Sequence, residues 1–367
     1  MTFQHRLFRH INGLWLMNLH QMQAIETDNY IAEQLYKQVI KRLPEGNICD
    51  LCEEGYRIGH AIDDHYKATK VFELPDLSGL PLKDVDKKEY IEYLRANIHA
   101  WAVPLSYHSL LTSPRAGFDK RLNLWGSTQS HKRYFRTLID MIVNHLKCSE
   151  SELPVGFIDV GCGDGSLLRD LKTALAGVFN RTFLFIGFDV DDQSSRIAKE
   201  QGQDKILFLR GDVAKPEELN ASLIAQGYPP LDHFFQVRAF VDHNSKPFFD
   251  DEYEEGDPST CNYCYIHNDR FVSENFIENS FKTHFARWKP FISRYGLGII
   301  ELHKAESYNL TESPAIAYEI FHLVSEQYVL SYKMYSELWE NAGVTLLDKK
   351  SIPNHSLSPN VSISIYQ

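Results

Sequence analysis

The sequence predicts an α/β fold built on a mostly parallel sheet, and three apolar runs carry that prediction. Residues 156–160 form the first run, which leads into a glycine-rich turn and then into a stretch with helical character. Residues 183–189 and 206–209 form the second and third runs, and each ends at glycine or a carboxylate. Such strand ends are typical of open α/β sheets, in which ligands bind beyond the carboxyl ends of the strands.

Glycines alternate with other residues directly after the first run, at Gly161, Gly163 and Gly165. A glycine lets the backbone approach a ligand where a Cβ atom would collide with it. The dinucleotide-binding fingerprint G-x-G-x-x-G requires its third glycine one residue later, where this chain has Ser166. The form present, D-x-G-x-G-x-G beginning at Asp159, instead resembles motif I of class I S-adenosylmethionine (SAM) methyltransferases.

This resemblance implies that SAM is the cofactor and that its parts lie at three successive strand ends. The glycine turn would lie behind the methionine half, Asp189 would bind the ribose, and Asp212 would face the adenine. It also implies a Rossmann-like class I methyltransferase sheet, parallel except for one reversed strand, with an N-terminal helical lid domain. The predicted cofactor-binding residues are Asp159, Gly161, Cys162, Gly163, Gly165, Asp189, Val190, Gly211, Asp212 and Arg238.

Two domains are predicted from the distribution of helical and strand patterns. Residues 1–147 are expected to form the helical lid and substrate domain, and residues 148–367 the SAM-binding core. An insertion at about 244–270 contains an acidic run that is expected to be a solvated loop. The other elements are helices at 24–43, 87–102, 132–146, 275–288 and 314–341, and strands at 231–238, 296–303, 344–347 and 361–366.

Composition and charge argue against several classes of function. The hydrophobic content of 43% is that of a globular protein, and the net charge of −11 argues against nucleic acid as a partner. No apolar run reaches the roughly 18–20 residues of a membrane helix, so no membrane association is expected. The 6 cysteines are scattered, which suggests a reducing compartment, and we expect a cytoplasmic enzyme.

Side chains of the types that bind metals follow two further strands of the predicted sheet. Asp242 and His243 come after the fourth strand, and the fifth strand ends at Glu301 and His303. Gln327 lies on the helix predicted before the closing strands. Imidazole, carboxylate and amide oxygen contributed by separate elements suit a catalytic iron or manganese site with open positions.

The same segments resemble a narrower family, the iron-dependent C-methyltransferase domain of the apratoxin polyketide synthase and its relatives. Members of that family methylate a carbon of a malonyl-type acyl thioester held on a carrier protein, and they bind one metal ion. The resemblance implies His243, His303 and Gln327 as metal ligands, with Asp242 as a fourth ligand or an outer residue that orients them. The segments that carry it are 123–127, 130–135, 237–244, 288–290, 296–297, 301–303, 317–319 and 325–328.

A metal would act on the carbon acid rather than on the cofactor. The methyl group of SAM is already electrophilic, whereas a malonyl carbon becomes a nucleophile only after it loses a proton. A metal bound by two carbonyl-type oxygens stabilises the resulting enolate. The predicted catalytic residues are His131, Glu301 and Asp242, of which His131 or Glu301 is the expected base.

Other functions remain open at this point. One is a metal-independent O- or N-methyltransferase of a small molecule in which His243 or His303 is a general base. Another is a methyltransferase-like interaction module whose site has decayed. His303 and Gln327 also suit packing positions. The substrate is either a free small molecule or an acyl group on an acyl carrier protein, which would contact Lys132, Arg133 and Arg136.

Two C-x-x-C pairs have the spacing found in tetrahedral zinc sites. They are Cys49 with Cys52 and Cys261 with Cys264, far apart in the chain. They would meet only if the lid folds onto the insertion, and the alternative is four reduced cysteines without metal.

Overall fold

The computed structural model describes residues 120–148, 153–201, 205–245, 264–267, 270–304, 326–352 and 360–367, together with residues 65, 68, 69 and 322. The chain divides into two compact units, one of residues 1–130 with 308–325 and one of residues 131–307 with 326–367. The predicted lid helices at 24–43 and 87–102, the acidic run of the insertion, and the side chains of both C-x-x-C pairs lie outside the described residues.

Seven strands of the second unit form one sheet, as the sequence predicted. Their order across the sheet is β3, β2, β1, β4, β7, β9, β8. The described strands are β1 (Gly156–Val160), β2 (Leu184–Asp189), β3 (Leu207–Arg210), β4 (Phe235–Ala239), β5 (Cys264–His267), β6 (Arg270–Ser273), β7 (Leu297–Leu302), β8 (Leu346–Ile352) and β9 (Val361–Tyr366).

One strand runs against the others in this sheet. β9 pairs antiparallel with both β7 and β8, whereas β1, β2, β3, β4 and β7 pair in parallel. The single reversed strand of the prediction is thereby confirmed. Because β1, β2, β4 and β7 are parallel neighbours, their carboxyl ends meet at one edge, where ligands bind in such sheets.

The described helices flank this sheet. They are α1 (Lys120–Cys148), α2 (Ser166–Ala176), α3 (Asp192–Gln201), α4 (Pro216–Ala225), α5 (Glu274–Trp288) and α6 (Tyr332–Asn341). α1 buries Leu138 and Ile142 in a cluster with Phe157, Phe235 and Ile363 of the strands. Apolar residues at helical spacing on α1 and at alternate strand positions thus meet in one core. Within the described residues, no helix has the length and apolar character needed to cross a membrane.

The helix predicted at 314–341 is interrupted, so that part of the prediction is wrong. Glu326 has a φ of 53°, and residues 327–330 are neither helix nor strand. α6 starts only after Ser331, whose Oγ accepts a hydrogen bond from the N–H of Met334 at 3.3 Å. Ser331 is an N-cap in the interior of the predicted helix. Gln327 therefore lies in an extended segment, 327–331, rather than on a helix.

A hairpin of β5 and β6 contacts this extended segment. The hydroxyl of Tyr265 donates to the carbonyl of Val329 at 2.9 Å, and His267 Nδ1 lies 2.6 Å from the hydroxyl of Tyr328. The N–H of Tyr328 in turn donates to the carbonyl of His243 at 2.8 Å. The end of the predicted insertion therefore holds the extended segment against the loop that follows β4.

Candidate active site

The glycine turn after β1 bends over the end of β2. The N–H of Gly161 donates to the carbonyl of Phe188 at 2.7 Å. Gly161, Gly163 and Gly165 have φ of 80°, 55° and 76°, values that other residues rarely adopt. A Cβ atom at Gly161 would lie 2.3 Å from Cγ2 of Val241. The turn therefore depends on its glycines for both conformation and space.

Asp189 ends β2 and holds the same turn in place. Its Oδ2 accepts a hydrogen bond from the N–H of Gly163 and its Oδ1 one from the N–H of Asp191, both at 2.9 Å. A carboxylate oxygen has a second lone pair, so these bonds leave acceptor capacity for a ribose hydroxyl. Asp189 thus braces the turn from the position at which the sequence predicts ribose binding.

Asp159, near the end of β1, is buried, and its Oδ1 has no hydrogen-bond partner among the described residues. Burial, followed by the charges of Asp189 and Asp164, raises the pKa of Asp159 to about 8. A buried acceptor without a donor is unfavourable, and a cationic ligand relieves that cost. Asp159 therefore fits a cofactor that carries ammonium and sulfonium groups.

Val190 and Asp212 lie just beyond the ends of β2 and β3. The side chain of Val190 is 59% exposed, and Asp212 Oδ1 accepts from the N–H of Ala214 at 2.9 Å. The N–H of Gly211 donates to the carbonyl of Asp189 at 3.0 Å and so joins the two strand ends. An exposed aliphatic side chain and a nearby carboxylate suit a nucleoside base.

Cys162 packs within the turn against Gly187 of β2, and its role at the cofactor stays a prediction. A Cβ atom at Gly187 would lie 2.7 Å from its Sγ, so β2 needs glycine at that point. Burial raises the pKa of the Cys162 thiol well above its usual value, and the charge of Asp159 adds to this. The thiol is therefore protonated and acts as a small apolar group.

A second group of polar side chains lies at the ends of β4 and β7. His243 and Glu301 are both buried, and His243 Nδ1 lies 2.6 Å from Glu301 Oε1. Glu301 Oε2 also accepts from the N–H groups of Asp242 at 2.9 Å and His243 at 3.3 Å. Because Glu301 Oε1 accepts a hydrogen bond from the Nδ1–H of His243, the lone pair of this tautomer is on Nε2.

Asp242 lies beneath His243 and is fully buried. Its Oδ1 is 3.1 Å from Arg238 Nη1, and its Oδ2 accepts from the hydroxyl of Tyr335 at 2.5 Å. Burial opposes ionisation of Asp242, but Arg238 and then His284 lower the pKa of its carboxyl well below the usual range. Both oxygens are thus occupied by partners in the interior.

Arg238 was predicted to bind the cofactor, and the structure places it in the interior. It is fully buried, and its guanidinium lies 3.7 Å from the centre of the Trp288 ring. Burial lowers the pKa of Arg238, while the carboxylate of Asp242 acts in the opposite direction. Its cofactor role stays a prediction, and the contacts seen are those of an internal ion pair.

His303 follows β7 and is also buried. Its Nε2 lies 2.7 Å from Ser362 Oγ, and its ring meets those of Tyr332 and Tyr335 at 5.3 and 5.4 Å between centroids. The pKa of His303 is lowered to about 3, mainly by burial; the backbone of Leu330 opposes this shift, and the neighbouring His243 and Lys349 add to it. His303 is therefore neutral and packed.

Gln327 approaches His243 through Asn244. Gln327 Nε2 donates to Asn244 Oδ1 at 2.5 Å, and Asn244 Nδ2 lies 3.0 Å from His243 Nε2. The other amide atom, Gln327 Oε1, is buried and has no hydrogen-bond partner within the described part of the chain. Of the four predicted metal ligands, His243 and Gln327 are thus brought together, and the intervening Asn244 was not predicted.

Two residues beside this group have backbone conformations that disfavour any side chain. Phe240 has a φ of 57° at the end of β4, and Glu326 has a φ of 53° directly before Gln327. They are the only residues other than glycine with positive φ among those described. Such strain is typical of functional sites, where the surrounding structure holds it.

His131 lies on α1 and stacks on Phe240, with 3.8 Å between the ring centroids. Burial lowers the pKa of His131 to about 3, and the charges of His243 and Arg133 contribute. The neutral ring therefore packs over the strained residue near His243. Its predicted role as a base stays a prediction, and Trp125, earlier on the same helix, is 37% exposed.

Comparison with known families decides the class of the protein. A family model described as the AprA MT2-like domain matches residues 116–364, which is more than half of the chain. The chain belongs to this family. It is therefore a class I SAM-dependent methyltransferase, as the glycine turn predicted, and the strand order above is the sheet of that class.

Solved structures of similar fold are also methyltransferases. The trans-methyltransferase CalH, in complex with SAH, is 10% identical, with a TM-score of 0.56 over 99% of this chain and 90% of that chain. The DszA carbon methyltransferase is 14% identical, with a TM-score of 0.50 over 98% of this chain and 89% of that chain. At these identities the similarity shows the fold alone. Comparison with curated proteins gives no match in sequence.

Acidic, cysteine and histidine side chains alone do not make up a metal site in the part of the chain that the structure describes. Within the described residues there is no group of three or more such side chains arranged to hold a metal ion. The predicted ligand set includes the amide of Gln327, and Asp242 is occupied by Arg238 and Tyr335. The described donors that fit a metal together are His243 Nε2 and Gln327 Oε1.

The Asp159→Asn variant tests the cofactor site of this methyltransferase. Because the pKa of Asp159 is raised to about 8, its ionisation accompanies SAM binding, and wild-type affinity should increase from pH 6 to about pH 8. The Asp159→Asn substitution removes both the charge and the pH dependence of SAM affinity. Calorimetric titration with SAM across that pH range measures the slope for both proteins.

The same variant should be more stable than wild type without ligand. A carboxyl with a raised pKa in the folded state loses stability as pH rises towards that value, so the unliganded Asp159→Asn protein should melt higher at pH 8. Equal affinity of both proteins for SAM at all pH values would contradict the assignment.

Proposed function

We propose that this enzyme transfers the methyl group of SAM to an acidic carbon of an acyl substrate, with His243 as the general base. The observation that carries the proposal is the 2.6 Å contact between His243 Nδ1 and Glu301 Oε1. A carboxylate behind a histidine holds one tautomer and directs the other nitrogen at a substrate. The carbon methyltransferase DszA among the fold neighbours supports carbon as the acceptor atom.

The chain's own residues divide the work of proton removal. The Asn244 amide nitrogen lies 3.0 Å from His243 Nε2, and the substrate would displace it. Nε2 then takes the proton from the carbon, and Glu301 stabilises the imidazolium that forms. The N–H of Leu302 donates to Glu301 Oε1 at 2.8 Å, and the N–H of Asp242 donates to Oε2, so the carboxylate cannot rotate freely. SAM, when bound, supplies a methyl group that is electrophilic without further activation.

The substrate that we propose is a malonyl-type acyl thioester, because its carbon is acidic enough for a histidine to deprotonate. An acyl carrier protein would present this thioester on a flexible arm. Lys132, Arg133 and Arg136 are exposed on α1 and form a positive surface for an acidic carrier. A thioester that is free in solution is the other form that the same site would accept.

A metal-assisted reaction is the second candidate, and Gln327 Oε1 is the observation that favours it. The amide oxygen of Gln327 is buried and accepts no hydrogen bond among the described residues, and the nearby imidazole of His243 contacts the Glu301 carboxylate. This oxygen and this imidazole are together a suitable pair of metal ligands. His243 and Gln327 would hold iron or manganese, which would stabilise an enolate, and His303 as a further ligand stays a prediction. His243 Nε2 serves either as base or as ligand, so the two candidates exclude each other.

Product analysis tests the function. Malonyl-pantetheine and SAM with an isotopically labelled methyl group are incubated with the enzyme, and NMR locates the label in the product. We expect a methyl group bonded to the carbon between the two carbonyls. A label on a carboxylate oxygen, or transfer only to an amine or hydroxyl substrate, would instead establish the O- or N-methyltransferase alternative.

Chelation separates the two mechanisms. Protein dialysed against EDTA should retain its rate of carbon methylation, because His243 and Glu301 need no metal to move the proton. The metal content of protein purified without chelator is measured in parallel, for wild type and for Gln327→Leu. Loss of activity on dialysis that iron or manganese restores, together with metal lost in Gln327→Leu, would replace the base mechanism by the metal mechanism.

A further inference from the structure

We propose that Arg238, Asp242 and Tyr335 are positioning residues that hold the His243 ring and the Glu301 carboxylate in the relative position needed for proton abstraction. The inference rests on the proposed role of His243 as the base. It assigns a role in the reaction to a buried ion pair that does not itself touch the substrate. We refer to Arg238, Asp242, His284 and Tyr335 as the Asp242 cluster.

Three separate elements converge on the carboxylate of Asp242. Arg238 of β4 contributes Nη1 at 3.1 Å, Tyr335 of α6 contributes its hydroxyl at 2.5 Å, and His284 of α5 places Nε2 at 3.7 Å. All four side chains are buried. The side chain of Asp242 is therefore anchored to the sheet through Arg238 and to α6 through Tyr335, with His284 of α5 beside it.

The main chain of Asp242 connects this anchor to the reacting pair. Its N–H donates to Glu301 Oε2 at 2.9 Å, and the next N–H, that of His243, lies 3.3 Å from the same oxygen. His243 is also the residue whose ring Glu301 orients. A shift of Asp242 would therefore displace the base and its carboxylate partner together, in the loop that starts at the strained Phe240.

Stability alone does not account for a charged cluster at this position. Arg238 is packed between the rings of Trp288 and Trp339, at 3.7 and 5.3 Å, and its Nε and Nη2 have no hydrogen-bond partner among the described residues. Apolar side chains fill such interior space at least as favourably as a buried ion pair. What an apolar replacement lacks is a directional hold on Asp242, which the salt bridge and the tyrosine hydroxyl provide.

The variant that tests the proposal is Tyr335→Phe, which removes one hydroxyl and leaves the ring. The matched control is Tyr366→Phe, since Tyr366 is an equally buried tyrosine that is not part of the Asp242 cluster. Both proteins are labelled with ¹⁵N-histidine, and NMR follows the downfield Nδ1–H signal of His243, which is identified by its absence in His243→Ala. This readout needs no substrate and reports the contact with Glu301 directly.

We expect the His243 signal to shift or broaden in Tyr335→Phe and to be unchanged in Tyr366→Phe. Exchange of deuterium from the central carbon of malonyl-pantetheine should fall by about tenfold to a hundredfold in Tyr335→Phe, while the Kd for SAM is unchanged. A signal that is absent from wild type, unaltered in Tyr335→Phe, or altered equally in the control would overturn the proposal.

The two proposals fail in different ways. If wild type neither exchanges nor methylates malonyl-pantetheine but its His243 signal responds only to Tyr335→Phe, the proposed substrate is wrong and the positioning role stands. If wild type methylates the carbon and the His243 signal is the same in wild type and Tyr335→Phe, the proposed function stands and the positioning role is wrong.

Discussion

Replacing His243 with Ala should lower kcat for carbon methylation by about 10²- to 10⁴-fold, the usual contribution of a positioned general base. The imidazole is the group that takes the proton in the proposed mechanism, and Glu301 lies behind it, with Oε1 2.6 Å from Nδ1. Steady-state kinetics with malonyl-pantetheine measure the loss. The Kd for SAM should be unchanged, because His243 is not among the residues predicted to bind the cofactor.

The matched control for this variant is His145→Ala, which removes a half-buried histidine of α1 whose Nε2 contacts the carbonyl of Tyr295 at 3.0 Å. It should retain wild-type kcat. Equal losses in the two variants would indicate general damage to the fold, and full activity of His243→Ala would refute the assignment of the base.

Replacing Asp242 with Ala should lower the free energy of unfolding by about 3–5 kcal/mol, because it leaves the buried charge of Arg238 without its partner. Unfolding in urea, followed by circular dichroism, measures the change. The exposed Asp232 supplies the control, and its Ala variant should differ from wild type by less than about 0.5 kcal/mol.

A double variant separates the cost of the unpaired charge from the loss of packing. Arg238→Met combined with Asp242→Ala removes both charges and should recover a large part of the stability lost in Asp242→Ala. The pKa of Asp242 is lowered, so wild type should also lose this contribution as pH falls below about 4. A double variant no more stable than Asp242→Ala would show that the charge is not the cause.

The strand ends of the site could be predicted from the sequence because they depend on local signals. An apolar run that ends in a carboxylate or glycine specifies both a strand and the edge at which its last side chain lies, as at Asp159 and Asp189. The same reasoning placed His243 and Glu301 at one edge of the sheet, and the structure joins them at 2.6 Å. The single reversed strand followed from the resemblance rather than from periodicity.

The remaining features depend on contacts between distant parts of the chain. The segment at 327–331 was predicted as helix because its composition suits one, but hydrogen bonds from Tyr265 and to His243 hold it extended. The only indication in the sequence that Asn244 belongs to the site was its position beside His243. Tyr335, an interior partner of Asp242, lies more than ninety residues away from it in sequence. No local sequence pattern reveals such a contact.

The position of β9 between β7 and β8 has a consequence for how the enzyme is made. β8 pairs only with β9 within the described strands, although it precedes β9 in the chain, so the sheet cannot be completed until residues 361–366 have left the ribosome. Until then, the backbone N–H and C=O groups of β7 that bond to β9 in the finished sheet are open to pairing with another chain. A nascent chain that stalls before residue 361 would expose this edge of β7 and lack Ser362, the partner of His303. Ribosome pausing before residue 361 would therefore favour aggregation of the nascent chain.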